Sequence, residues 1–339
     1  MLTLLPEEQM LVAALSLAER NNLVSTAPQS IADVQAFGPF YFGMYCADWA
    51  GATANLQAQG MVDLHDDQLS LTAPGAARAG ELRVAHPRQI YAYNEFYYRA
   101  RRSAAHARFC ERVYGRDLCQ HGMADMGQIN ALVEELKANR AHSILELGCG
   151  NGALAAYFAD HTGANVTGVD FAEEGIRWAR EFAAQRPGRL TFHTADMTTI
   201  DFTAASFDTV ILVDAAYFVQ GLAAFLRRLL TWLRPAGKLY VFYSAWVGNP
   251  EQRDQLQSGS TPFAQALNEL NMPFEFIDYS AGEAAHWLLK RQVAEEMKSE
   301  FEAEGNAWLQ HRRWIEAECH RPYVENGNVT RYLYKVGKY

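Results

Sequence analysis

No run of apolar residues in this sequence is long enough to cross a bilayer. The longest, such as VILVDAAYFV at 210–219, reach about half of the roughly 20 residues that a spanning helix needs. Cysteine is scarce: five residues (46, 110, 119, 149, 319), odd in number and without a CxxC pair. That argues against a disulfide framework and fits reduced thiols in a cytoplasmic protein. Cys119-x-His121 and Cys319-His320 each offer two ligands where zinc needs four, so no metal is expected. The opening MLTLLPEEQM lacks a basic segment and meets Glu7 and Glu8 at once, so no signal peptide is expected. Positive charge is short as well. The chain carries 30 Lys and Arg against 39 Asp and Glu, a net of −9, which argues against a nucleic-acid partner.

What is present is ordinary for a globular protein, 49% apolar and 20% charged, and 339 residues allow two domains. Residues 1–86 read as short helices followed by a hairpin. PEEQMLVAALSLAER has helical apolar spacing, CADWAGATANLQAQG is a second helix stopped by Gly60, and MVDLHDDQLSLT alternates around an Asp-Asp turn. This resembles a winged-helix module. Its charge speaks against DNA: Arg20, Arg78 and Arg83 face nine acidic residues within 1–85, a net of −6. The helix expected at Cys46–Gln59, which would read a groove, has no Lys or Arg. A dimerisation or substrate-capping role is the expectation, with a homodimer possible on the same resemblance.

Residues 87–136 form a bridge. RQIYAYNEFYYRARRSAAHARFCERVYG sets Tyr91, Tyr93, Phe96, Tyr97, Tyr98, Phe109 and Tyr114 in one predicted helical stretch, a core-facing stripe with one or two rings left for a ligand. From 137 to 339 the pattern is regular α/β. SILELG, NVTGVD, LTFHTAD, FDTVILVD and KLYVFYS read as strands with helices between, and FEFIDYS and TRYLYKV as the last two. Alternating units of this size predict a doubly wound, mostly parallel sheet of seven strands. Two long helices at about 281–320, broken by Gly305-Asn306, form an insertion outside it.

The most informative stretch is ILELGCGNG at 144–152, with three glycines in five residues between a strand and a helix. Gly148-x-Gly150-x-x-Ala153 satisfies the dinucleotide fingerprint formally. Glu146 at the strand end and the extra Gly152 point elsewhere. With Glu146, Gly148, Cys149, Gly150, Asn151 and Gly152, the stretch resembles motif I of the class I S-adenosylmethionine-dependent methyltransferases, a Rossmann-like family, over about residues 140–245. The resemblance implies S-adenosylmethionine as co-substrate. Glu146 would hold its ammonium, Asp170 its ribose hydroxyls, Phe171 would stack on adenine, and Asp196 with Met197 would meet the adenine edge. Asp214 and Gln120 join this set.

The stretch ILVDAAYFV after the fourth strand lacks the Asn/Asp-Pro-Pro-aromatic motif of nucleic-acid amino-methyltransferases. It also has Tyr217-Phe218 where small-molecule enzymes tend to have a polar pair with histidine. Tyr217, Ser244, His121 and Tyr98 are the candidate catalytic groups. The resemblance implies N- or O-methylation of a small metabolite in secondary metabolism. The competing expectation on the same fold is cyclisation, as in azetidine-2-carboxylate synthases, where the co-substrate's own amine displaces methylthioadenosine.

Overall fold

The computed structural model describes residues 4–20, 24–42, 48–85, 93–219, 221–248 and 250–337. Tyr91, Cys46 and the expected 86/87 boundary lie outside them. In the N-terminal part, helices Pro6–Arg20, Ile31–Phe42, Trp49–Ala58 and Ala73–Ala85 pack on a small antiparallel sheet of β1 (Gln29–Ser30), β2 (Val62–His65) and β3 (Gln68–Leu71), ordered β1-β3-β2. Asp66 and Asp67 join β2 to β3 at φ of 49° and 60°. A two-residue hairpin needs that conformation, and aspartate tolerates it better than most side chains. Met10, Leu11, Leu56, Val62 and Leu69 form a separate core here. Arg78 pairs with Glu8 and Arg83 with Glu19, so acids of the same part hold two of its three cations.

Where the aromatic stretch predicts one helix, the structure has two, Tyr93–Ala100 and Ala104–Tyr114. The break has a local cause. Ser103 is extended and caps the second helix, its hydroxyl accepting from the His106 amide at 3.0 Å. Gly115, at φ 88°, ends that helix.

The main sheet contains β4 (Ser143–Leu147), β5 (Asn165–Asp170), β6 (Leu190–Thr194), β7 (Phe207–Val213), β8 (Leu233–Trp246), β9 (Phe274–Asp278) and β10 (Val329–Gly337). Their order is β6-β5-β4-β7-β8-β10-β9. The pairings from β6 to β8 are parallel, while β10 runs antiparallel to both its neighbours. The central strands β4 and β7 are near-continuous apolar runs because both faces are covered, while the edge strands β6 and β9 stay partly exposed. Along β7, Val210 and Leu212 enter one core with the Leu222–Trp232 and Pro262–Glu269 helices, and Ile211 enters the other with Ala153–Thr162 and Glu173–Gln185.

Between β9 and β10 the chain leaves the sheet as helices Ser280–Glu296, Lys298–Ala303 and Ala307–Glu325, with Gly305 at φ 69° in the last break. Ser280–Glu296 packs on Ala104–Tyr114, and Ala307–Glu325 on Ile31–Phe42. The insertion thus joins bridge and N-terminal part above the carboxyl ends of the parallel strands, where open α/β sheets place their ligands.

Candidate active site

The glycine turn follows β4. Gly148 and Gly150 have φ of 77° and 55°. A Cβ on Gly148 would stand 2.6 Å from the Ala215 Cβ, and one on Gly150 only 2.2 Å from the Tyr97 hydroxyl. Any other residue there is both strained and obstructed. Asn151 accepts from the Ala153 amide at 3.2 Å, helping to start the helix, and Cys149 is a buried thiol that burial pushes well above its usual range. Beneath the turn lies Glu146, 1% exposed, whose Oε2 has no hydrogen-bond partner. Burial and the nearby Asp170 push this carboxyl up to about 8.

Asp170 ends β5 and closes the turn from the side. It accepts from the Gly150 amide at 2.8 Å and the Ala172 amide at 2.8 Å. Burial raises it to about 6 against those bonds. Asp196 lies two residues beyond β6 and accepts from the amide and hydroxyl of Thr198, both at 2.7 Å, while Met197 offers its carbonyl to Arg228.

An aromatic layer stands over Asp170. The Tyr93 ring meets Phe171 at 5.7 Å, Phe218 at 6.0 Å and His121 at 4.8 Å, all edge-on. Phe96 packs edge-on against His121 at 4.6 Å. Arg312 donates to His121 Nε2 at 3.4 Å. Since arginine only donates, Nε2 is the acceptor and the proton of this neutral ring is on Nδ1. Burial, then Arg312, Arg313 and Lys290, hold His121 well below the usual histidine range. Gln120 beside it accepts from the Leu118 amide at 3.0 Å, and its buried Nε2 has no acceptor.

Three expected site residues belong to a different, closed network. Asp214, at φ 52°, receives Arg331 on both oxygens at 2.6 and 3.1 Å, and the Met123 amide at 2.7 Å. Burial pushes this carboxyl up, but Arg331 outweighs it and keeps it below its usual range. The Tyr217 hydroxyl donates to Asp214 at 2.9 Å and accepts from the Ser244 amide at 3.0 Å. Ser244 Oγ accepts from Arg331 at 3.1 Å, and Arg331 Nε donates to Gln128 at 2.8 Å. Asp214, Tyr217 and Ser244, expected at the co-substrate, thus share one hydrogen-bonded network with Arg331. Tyr98, expected as a catalytic group, is 46% exposed and lies under Arg102 at 3.9 Å.

Two residues that matter were not singled out. Tyr97 is buried, its hydroxyl over Gly150, with no hydrogen bond among the described residues. Helical spacing was the available signal: Tyr93, Phe96, Tyr97 and Ala100 share one face, which excludes Tyr98. Arg331 was visible as the one arginine of a strand whose other cation is Lys335.

Residues 144–237 match the family model of the methyltransferase domain. Phosphoethanolamine N-methyltransferase 1 of Triticum aestivum is 28% identical over 143 residues, 42% of this chain and 28% of that one. A ubiquinone biosynthesis O-methyltransferase of Idiomarina loihiensis is 33% identical over 98 residues, 29% of this chain and 40% of that one. The chain thus matches about a quarter to two-fifths of the length of these curated relatives. Among solved structures, phosphoethanolamine N-methyltransferase 2 of Haemonchus contortus, in complex with phosphomonomethylethanolamine and S-adenosylhomocysteine, superimposes with a TM-score of 0.56 at 17% identity, covering 73% of this chain and 60% of that one. The cyclopropane synthase MmaA2 of Mycobacterium tuberculosis gives 0.55 at 15%, covering 67% and 88%. These structures share the fold.

Proposed function

We propose that this chain, whose residues 144–237 carry a methyltransferase domain on the class I S-adenosylmethionine-dependent fold, methylates a nitrogen or oxygen of a small metabolite. The observation that carries the reading is Glu146: a buried carboxylate oxygen without a partner, under a turn whose glycines leave no room for a Cβ. A buried acceptor left unpaired is costly, and an ammonium answers it. The residues fit S-adenosylmethionine. Glu146 would hold its ammonium, Asp170 its ribose hydroxyls, and the helix start at Ala153 favours its carboxylate. When bound, this co-substrate supplies a methyl group already activated on sulfur.

The chain's own part is enclosure and alignment. Tyr93, Phe171 and Phe218 offer ring faces and edges beside the turn, where a face turned to a cation attracts it. They also keep water from the reacting centre. Neutral His121 is the expected catalytic group that stands in this layer, and with Nε2 held by Arg312 its Nδ1–H can orient the acceptor. The commitment of Tyr217 and Ser244 elsewhere favours a second reading, cyclisation of the co-substrate in an aromatic box.

Incubation with S-adenosylmethionine alone, followed by product analysis, separates the two. Adenosylhomocysteine formed only when an acceptor is added supports methyl transfer. Methylthioadenosine from co-substrate alone establishes cyclisation. A folded protein that binds neither S-adenosylmethionine nor adenosylhomocysteine removes both.

A further inference from the structure

The inserted helix Ala307–Glu325 carries two consecutive arginines that make the same contact with two different histidines. Arg312 aims Nε and Nη2 at His121 Nε2, both at 3.4 Å. Arg313 aims the same two atoms at His106 Nε2, at 3.1 and 2.8 Å. A guanidinium only donates, so each Nε2 presents a lone pair and each neutral ring has its proton on Nδ1. Neighbours on a helix point about 100° apart, which lets one turn serve two rings.

The two histidines differ on the far side of the ring. His106 is 1% exposed, and its Nδ1 lies 3.8 Å from Cys110 Sγ in the core between bridge and insertion. His121 is half-buried, and among the described residues its Nδ1 makes no hydrogen bond. Its ring is held edge-on by Tyr93 and Phe96, in the layer that also contains Phe171 and Phe218. Arg312 is set by rings in turn: its guanidinium lies over Tyr93 at 5.7 Å, Phe96 at 5.9 Å and Trp308 at 5.5 Å. A guanidinium packed on rings is fixed in orientation, and so is the fork it presents. The titratable and charged groups that face His121 are Arg312 and Arg313 on this helix, Lys290 on Ser280–Glu296 and His106 on Ala104–Tyr114. After burial, the largest cause, all four oppose a second proton on the ring, and no carboxylate is among them.

We infer that Arg312 is a positioning residue of the candidate site: it locks His121 as the Nδ1–H tautomer, so that His121 meets the acceptor as a hydrogen-bond donor and not as its base. This deepens the methyl-transfer reading and rests on it. The insertion then has a task beyond enclosure, because the group that sets the donor comes from it. The acceptor has to present a lone pair to Nδ1–H, which an oxygen or an unprotonated amine does and an ammonium does not.

Nitrogen NMR spectra of the full chain, isotope-labelled at histidine, test this, since the two ring nitrogens report separately which one bears the proton. The His121 signals are identified by their loss in His121→Gln. In the wild type, His121 is expected wholly as the Nδ1–H form and neutral from pH 8 down to pH 5. Arg312→Met is expected to replace that single form with a mixture of both tautomers, and to raise the His121 titration midpoint by about one pH unit or more. Arg312→Gln, whose amide can accept as well as donate, serves if Arg312→Met does not fold, with the same outcome expected. A wild-type His121 that carries its proton on Nε2, or that gains a second proton within that pH range, overturns the inference. So does a folded variant in which His121 stays wholly Nδ1–H. Failure of the methyl-transfer reading shows differently, as no adenosylhomocysteine binding by the wild type, and leaves the tautomer measurement untouched.

Discussion

Arg331, in the strand next to β8, reaches across to Asp214 at the end of β7 and grips both of its carboxylate oxygens, at 2.6 and 3.1 Å. The pair ties the antiparallel addition of the sheet to its parallel part, directly behind the candidate site. Tyr217 and Ser244 complete it. Tyr217→Phe removes the hydroxyl's bond to Asp214 and leaves the Ser244 amide without its acceptor. A stability loss of about 1–2 kcal/mol is expected in urea, with adenosylhomocysteine affinity nearly intact. Arg331→Met strands a buried carboxylate and is expected to cost about 3–5 kcal/mol. A Tyr217→Phe protein of wild-type stability that has lost turnover would return Tyr217 to the chemistry.

Asp170 has two tasks, holding the Gly150 amide and meeting a ribose. Asp170→Ala is expected to weaken adenosylhomocysteine by about 2–3 kcal/mol, since charge-assisted bonds are lost and the turn is loosened. The free protein's Asp170 is raised to about 6, and the ribose needs its ionised form. Affinity should therefore fall as pH drops through 6. Calorimetry from pH 5 to 8 checks both points, and a flat profile removes Asp170 from the ribose site.

The sheet was legible because each strand is a short apolar run between turn residues, and a parallel sheet covered on both faces leaves few other solutions. The turn was legible because Gly148, Gly150 and Gly152 all take a positive φ, which favours glycine. The residues over it were not. Tyr217 and Asp214 sit in sequence where ligands are usually met, yet Arg331, 117 positions after Asp214, claims them. A pairing over that distance leaves no periodic trace. The Tyr97 and Tyr98 choice was legible, since neighbours on a helix point about 100° apart, but it required phasing the helix from Phe96 and Ala100.

Glu146 gives a pH signature. Its native value of about 8 lies above the ordinary value of 4.5 that it takes in the unfolded chain. Its stabilising contribution is complete below pH 4.5 and is lost as pH rises to about 8, because the native state keeps a proton that the unfolded state has released. Glu146→Gln cannot titrate. Its stability relative to wild type should climb on the order of 1 kcal/mol per pH unit across that window. Denaturant melts at pH 5, 6.5 and 8 read the slope. Saturating adenosylhomocysteine, whose ammonium stabilises the carboxylate, should flatten it. Parallel curves for the two proteins would mean that Glu146 is ionised and partnered.

Tyr97 distinguishes a residue that faces a ligand from one that only packs. Its ring is buried and stacks edge-on against Phe96 at 5.1 Å, a structural role. Its hydroxyl stands over Gly150, and burial together with Asp170 keeps it protonated. Because the hydroxyl makes no hydrogen bond among the described residues, Tyr97→Phe removes no described partner from the free protein. Stability is expected to stay within about 0.5 kcal/mol. A ligand in the turn meets that hydroxyl, so adenosylhomocysteine affinity is expected to fall by about 1 kcal/mol, roughly 5-fold. Tyr97→Ala also removes the buried ring and is expected to cost about 3–5 kcal/mol of stability. The contrast between the two variants carries the test. Equal affinity in wild type and Tyr97→Phe makes the hydroxyl a bystander. A Tyr97→Phe protein that loses stability and affinity together makes it part of the scaffold of the turn.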